Sequence, residues 1–424
     1  MNRYRFLPYS WLFRRLLLTV LVTAAARSMA TDGTQLTGIG AVQQGTCGAG
    51  VASPGDSTWV LLNPAGILEM GCRLDVSMEV FAPERHNRPG GLFGNLAAGD
   101  MEDTSMFMIP SLGYSRCLDG GNAAWGVGLY GVSGMGVEYK TSRAILPRLF
   151  LKNYDRRTEY SVAQLVAAYA HTLGDSGWAI AFAPHLNYSM FKSDMLTLNF
   201  SETKGGNHWD DAYGLGFSLG LHKRWERIAF GLTYTSRQWM TEFKAYDDLF
   251  FASMDLPQLL QAGIAYSLSP RLEVVADYKW IDWSGISQIG AEPLRGGFGW
   301  HDQHVFKAGV TWHALPKWTF RAGFSHAQSP IDERHVFANA LFPAITENST
   351  AVGASYSISD TSEIHVAFTH TFENTLKDSG RGDLFSLLGK GSKISLEENE
   401  LTVQYSYTFA HGTGDQKRKA GYRQ

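Results

Sequence analysis

Two kinds of connection alternate along this chain of 424 residues, and their order constrains its fold more than any motif does. After Ala30 come about fourteen short stretches of alternating hydrophobicity, with no helix-period domain between them. The connections at 118–122, 174–177, 223–226, 269–270, 315–317 and 359–361 are tight. Those at 83–105, 138–157, 191–208, 241–255, 284–301, 329–348 and 375–394 each run to roughly fifteen residues or more. A soluble sandwich has no reason to sort its loops by parity. A barrel threaded through a membrane does, because every second connection lies on the same side. The expected fold is all-β: a transmembrane antiparallel barrel of about 14 strands, an even number as closure of bacterial barrels requires.

The strand patterns agree. Leu74, Val76, Met78 and Val80 oppose Asp75, Ser77 and Glu79, and Leu401, Val403, Tyr405, Tyr407 and Phe409 oppose Thr402, Gln404, Ser406 and Thr408. Aromatics at 13% and 45 glycines suit a lipid-facing band, aromatic girdles and tight turns. Closure leaves no unpaired edge in hydrocarbon. Charges such as Glu273, Asp277, Lys279, Lys307 and Arg321 are then tolerable only on a lumen face or against a plug. Pro110 and Pro184 interrupt strand patterns, where a missing N–H predicts a bulge.

Four segments follow. In residues 1–30, Arg3, Arg5, Arg14 and Arg15 precede an apolar run ending near Ala26, and Ser28-Met29-Ala30 offers small residues for cleavage. This is the pattern of a secretory signal peptide, too short for an anchoring helix. Residues 31–71 are rich in glycine and alanine and carry Asp56 and the turn-forming Asn63-Pro64-Ala65-Gly66. Their apolar content favours an internal plug over a loose arm. Residues 72–409 form the barrel, and 410–424 a basic tail. Cys47, Cys72 and Cys117 are too scattered for a metal site or a disulfide framework; packed or free thiols, or a Cys47–Cys72 bridge, remain open.

The segment Gly48-Ala49-Gly50-Val51-Ala52, Asp56-Ser57 and Asn63-Pro64-Ala65-Gly66-Ile67 resembles the amino-terminal hatch of FadL-type outer-membrane transporters. These carry long-chain fatty acids and, in toluene-transport relatives, aromatic hydrocarbons. Asp255-Leu256-Pro257-Gln258, Gly263-Ile264-Ala265-Tyr266, Asp277-Tyr278-Lys279-Trp280-Ile281-Asp282-Trp283-Ser284, Arg321-Ala322-Gly323-Phe324 and Ser329-Pro330-Ile331 extend the resemblance over most of the mature chain. One departure is the tail: barrels of this type stop at a terminal aromatic, whereas here Phe409 is followed by fifteen further residues, 410–424.

The resemblance implies passive uptake of a hydrophobic small molecule, foremost a long-chain fatty acid, with aromatic or other hydrocarbons as the alternative. It implies capture between loops, rearrangement of a hatch built on Asp56, Asn63, Pro64, Ala65 and Gly66, and sideways exit at a kinked third strand. That strand carries Gly126, Gly128, Gly131, Gly134 and Gly136, which either form the opening or make room for a plug. Leu92, Phe93, Leu149, Phe150, Leu249, Phe250 and Phe251 are candidate capture residues in the long loops, or simply pack those loops. Lys307 and Arg321 are candidate carboxylate partners, although an ion pair with Glu273 or Asp277 is the plainer expectation.

No nucleophile motif stands out, so no catalytic residue, and neither metal nor cofactor, is expected. His301-Asp302-Gln303-His304 reads as a wet barrel rim, with a metal site as the lesser alternative. A barrel lipase and a general porin are the lesser alternatives. The expected surroundings are outer-membrane lipid and lipopolysaccharide of a Gram-negative cell, with the chain a monomer and no nucleic acid bound.

Overall fold

The computed structural model describes residues 32–91, 100–118, 121–139, 156–195 and 203–409. Fourteen antiparallel strands form the wall: β1 (Arg73–Arg88), β2 (Phe107–Cys117), β3 (Ala123–Tyr139), β4 (Arg156–Thr172), β5 (Ala179–Ser193), β6 (Asp210–Arg224), β7 (Ile228–Thr235), β8 (Leu259–Ser269), β9 (Leu272–Ile281), β10 (Gln303–Leu315), β11 (Trp318–Ala327), β12 (Asn348–Ser357), β13 (Ser362–Lys377) and β14 (Lys393–Thr408). Each pairs with its sequence neighbours, and β1 pairs with β14 from Arg73↔Thr408 to Arg88↔Lys393, closing the cylinder. Two short strands lie off this path: Met101–Asp103 pairs with β1, and Trp239–Met240 with β6.

The wall is inverted relative to a soluble protein. On β14, Leu401, Val403 and Tyr405 are 45%, 49% and 43% exposed, while Glu400, Thr402, Gln404 and Ser406 are at most 2% exposed. Apolar side chains outside and polar ones inside are what a strand between lipid and a filled bore requires. The expected signal segment, 1–30, and the basic tail, 410–424, lie outside the described residues.

Two expectations fail locally. Pro184 does not make a bulge: the β4 ladder lapses between Val166↔His185 and Tyr169↔Phe182 without a change of register, so the missing N–H costs bonds but shifts nothing. Pro110 likewise pairs in register with Met78, and on its other side the ladder with β3 stops at Ser111. The strand expected over 227–240 breaks after Thr235, where Gln238 turns inward against Gln164 and Asn187 before pairing resumes at Trp239. No disulfide forms among the three cysteines.

Candidate functional site

Residues 32–71 form short helical turns, α1 (Gly40–Gln44), α2 (Trp59–Leu62), a 3-10 turn (Pro64–Gly66) and α3 (Ile67–Met70). Such short helices are unstable alone, and their hold is on the polar inner faces of the strands. Gln404 of β14 accepts from the Ala41 N–H at 2.8 Å and donates to Asp56 at 2.7 Å. Asp277 of β9 accepts from the Gly50 and Val51 N–H groups at 2.6 and 2.9 Å. Asn63 donates to the carbonyls of Val51 and of Leu221 on β6 at 3.0 and 3.2 Å, while its side-chain oxygen accepts from the Ala65 N–H. Arg73 grips Asp75 on β1 and donates to the Gly55 carbonyl at 2.9 Å. Gly48 needs its lack of a side chain: at φ +77° any Cβ would run into the Thr37 carbonyl.

Asp32 is held by two lysines of the wall. Fully buried, it lies 2.9 Å from both Lys279 of β9 and Lys307 of β10. Lys307 also donates to the Thr37 carbonyl at 2.7 Å. The expected pair of Lys307 with Glu273 or Asp277 is therefore replaced by one with Asp32, since Asp277 is taken by backbone N–H groups and Glu273 by Arg224. Arg321 donates to Ser355 at 2.5 Å, and its Cβ lies against Gly45. Both candidate cations thus face the leading segment.

β3 is the irregular part of the wall. It pairs with β2 only where Ala124–Tyr130 meets Ser111–Cys117. Beyond Tyr130 the register with β4 slips between Gly131↔Ala163 and Ser133↔Val162, leaving Val132 as a bulge. From there upward β2 pairs with β1 alone. The leading segment lies across this interval from within: the Gly134 N–H donates to the Thr34 carbonyl, the Thr34 and Ser133 hydroxyls are 2.8 Å apart, and Gln35 bridges to Ser133. The five glycines divide by position. A Cβ at Gly126 would strike Val60, and one at Gly128 the Tyr130 ring. Gly131 lies against Ile109 across the interval, and the Gly136 carbonyl accepts from Arg85.

The two largest apolar clusters among the described residues lie in the bore. One, toward the tight turns, joins Val42, Val51, Trp59, Val60 and Ile67 to small residues of β4 and β5. The other, toward the long loops, contains Tyr160, Phe191, Phe243, Tyr246, Phe250, Trp283, Phe298, Trp300 and Phe342. Val132 packs against both. Phe250 is buried here with its ring centroid 4.8 Å from that of Phe191, and Leu249 packs beside it. Phe251 is half exposed near Gly296. Leu92, Phe93, Leu149 and Phe150 lie outside the described residues. Sequence reasoning missed the aromatic cluster, although a signal existed. At the long-loop ends the inward parity turns apolar, as at Tyr160 and Val162 on β4, Ile281 on β9, Val305 on β10, and Ile394 and Leu396 on β14.

A family model described as outer membrane protein transport protein (OMPP1/FadL/TodX) matches residues 189–409. The chain belongs to this family. Solved structures of similar fold include the Pseudomonas putida toluene transporter TodX (17% identity, TM-score 0.67, covering 89% of this chain and 100% of that one). A Pseudomonas aeruginosa FadL homologue is similar at 14% identity and TM-score 0.66 (89% and 100% covered). The Ralstonia pickettii toluene transporter TbuX is similar at 16% identity and TM-score 0.64 (88% and 99% covered). No curated protein sequence matches. As a FadL/TodX family member the chain is an outer-membrane channel for hydrophobic substrates, and not an enzyme.

The tetrapeptide His301-Asp302-Gln303-His304 does not converge on one point. His304 meets the Tyr278 hydroxyl at 2.7 Å, and Asp302 accepts from Trp280 and from the Ser284 N–H. His301 turns the other way, toward Asp332 at 3.3 Å. Partial burial disfavours the Asp332 carboxylate, but hydrogen bonds from Arg334 outweigh it and hold the group at about 2.

Proposed function

We propose that this channel takes neutral hydrocarbons, monoaromatic ones foremost, into the aromatic cluster, and releases them sideways between β2 and β3. Residues 31–71 serve as the hatch, with Asp56, Asn63, Pro64, Ala65 and Gly66 at its fold-back. Residues 1–30 are the export signal, and 410–424 hang in the periplasm. The carrying observation is the interval above Ser111 and Tyr130, where β2 and β3 are unpaired, β3 bulges at Val132, and Thr34 and Gln35 lie against it. Val132 touches the long-loop cluster on one side and the hatch cluster on the other, so a shift of the hatch would connect cluster and wall. Every 100 Å² of ligand surface removed from water there would contribute about 2.5 kcal/mol.

A long-chain fatty acid is the second reading, since Lys279, Lys307 and Arg321 are cations in the bore. Against it, Asp32 already engages both lysines, and a ligand carboxylate would have to displace it or share them. Binding of toluene, hexadecane and hexadecanoate to the purified barrel separates the readings. We expect toluene to bind and hexadecanoate to bind no better than hexadecane. Hexadecanoate preferred tenfold over hexadecane would establish the fatty-acid reading, and binding of none of the three would overturn both.

A further inference from the structure

We infer that His301, Asp332 and His335 form a binding site for a divalent transition cation, Zn2+ or one of similar preference, that ties together the loops 282–302 and 328–347. The ligand atoms lie within 4.8 Å of one another. His301 Nε2 stands 3.3 Å from Asp332 Oδ2, and His335 Nδ1 stands 2.9 Å from Asp332 Oδ1. Ligands about 2.0–2.1 Å from a tetrahedral cation are separated by roughly 3.3 Å, so the set needs only small shifts to close around one. Two imidazoles and one carboxylate suit zinc, nickel or copper and do not suit calcium or magnesium.

Two features set this group apart from a chance surface cluster. The His335 side chain is 4% exposed, and its Nδ1, though close to Asp332, is aligned for no hydrogen bond. A buried nitrogen left so is costly unless something else engages it. The other nitrogen, Nε2, lies 3.0 Å from the Glu292 carboxylate. A carboxylate on the far nitrogen orients a metal-binding histidine and raises its basicity, and here that carboxylate comes from the opposite loop. The loops are already held in register around the site. Trp300 donates to Asn339 at 2.7 Å, Asn339 donates to the carbonyls of Phe298 and His335, and the His301 N–H donates to the Pro330 carbonyl. Trp300, Ile331 and Val336, immediate neighbours of the three ligands, belong to the aromatic cluster. A bound cation would therefore brace the roof of that cluster. Arg334 now holds the Asp332 carboxylate from the solvent side, at 2.6 Å, with its own side chain half exposed. It is the group a cation must displace.

The test is calorimetric titration of the full-length barrel, freed of metal in detergent, with Zn2+ alone. We expect one saturable site. His301→Ala, which alters an exposed side chain, and Asp332→Asn should each weaken it at least about tenfold, and Arg334→Ala should tighten it by removing the competitor. With Zn2+ bound, cleavage by added protease within 328–347 should slow in the wild type and be unchanged in His301→Ala. Absence of saturable binding, binding equal in wild type, His301→Ala and Asp332→Asn, or weaker binding by Arg334→Ala would each overturn the assignment.

Discussion

Asp32 and Asn63 hold the leading segment by different means, and the difference sets the size of the effect when each is lost. Replacing Asp32 by Asn leaves two buried ammonium groups facing a neutral amide. Removing one partner of a buried ion pair costs about 3–5 kcal/mol, because the remaining charge is stranded. Asn63→Ala removes neutral hydrogen bonds to Val51, Leu221 and Ala65, a loss of about 1–3 kcal/mol when buried partners go unsatisfied. Asp32→Asn should therefore lower the heat-unfolding temperature of the detergent-solubilised barrel more than Asn63→Ala does, read from the folded and unfolded bands on a gel. The reverse order would mean that water screens the lysines. Asn63 was legible in the sequence because Asn-Pro is a local turn signal. Asp32 was not: its lysine partner on β9 lies 247 residues downstream, and no local pattern announces a contact at that range.

At the scale of an element, β3 carries the functional argument. A Cβ built at Gly131 lies 3.9 Å from the Ile109 Cβ, within the range a disulfide spans. The double variant Ile109→Cys with Gly131→Cys should therefore oxidise and join β2 to β3 at the foot of the unpaired interval. Hydrocarbon uptake by cells expressing it should fall severalfold when oxidised and recover on reduction, at equal barrel levels. Unchanged uptake in the oxidised form would place the exit elsewhere. The strands and tight turns were legible because period-two alternation and turn chemistry are local. The five glycines of β3 marked the irregular strand but left two explanations open, and their surroundings differ: Gly126 lies against Val60 of the leading segment, Gly128 against the Tyr130 ring of its own strand, and Gly131 against Ile109 across the interval. The proline bulges were misjudged, since a missing N–H can be absorbed by a lapse in the ladder with the register intact.

For the whole molecule the decisive property is layering along the bore. The sheet closes on itself through the β1–β14 ladder, so a path for water from one side of the membrane to the other runs along the bore. At the long-loop end it meets an aromatic cluster whose buried members are at most 8% exposed. At the turn end it meets the leading segment, bonded to β1, β6, β9 and β14 and backed by the second apolar cluster. Between them, among the described residues, sits a charged layer around Asp32 with apolar packing on either side. A bore filled in this order should be nearly silent to ions while still admitting a solute that dissolves in its aromatic part. In planar bilayers the purified chain should show at most brief, small openings, and saturating toluene should not convert these into a steady current, because the proposed route for the ligand leaves through the wall. A large, lasting conductance from the unliganded protein would show that water passes both clusters, and the hatch would then be no seal.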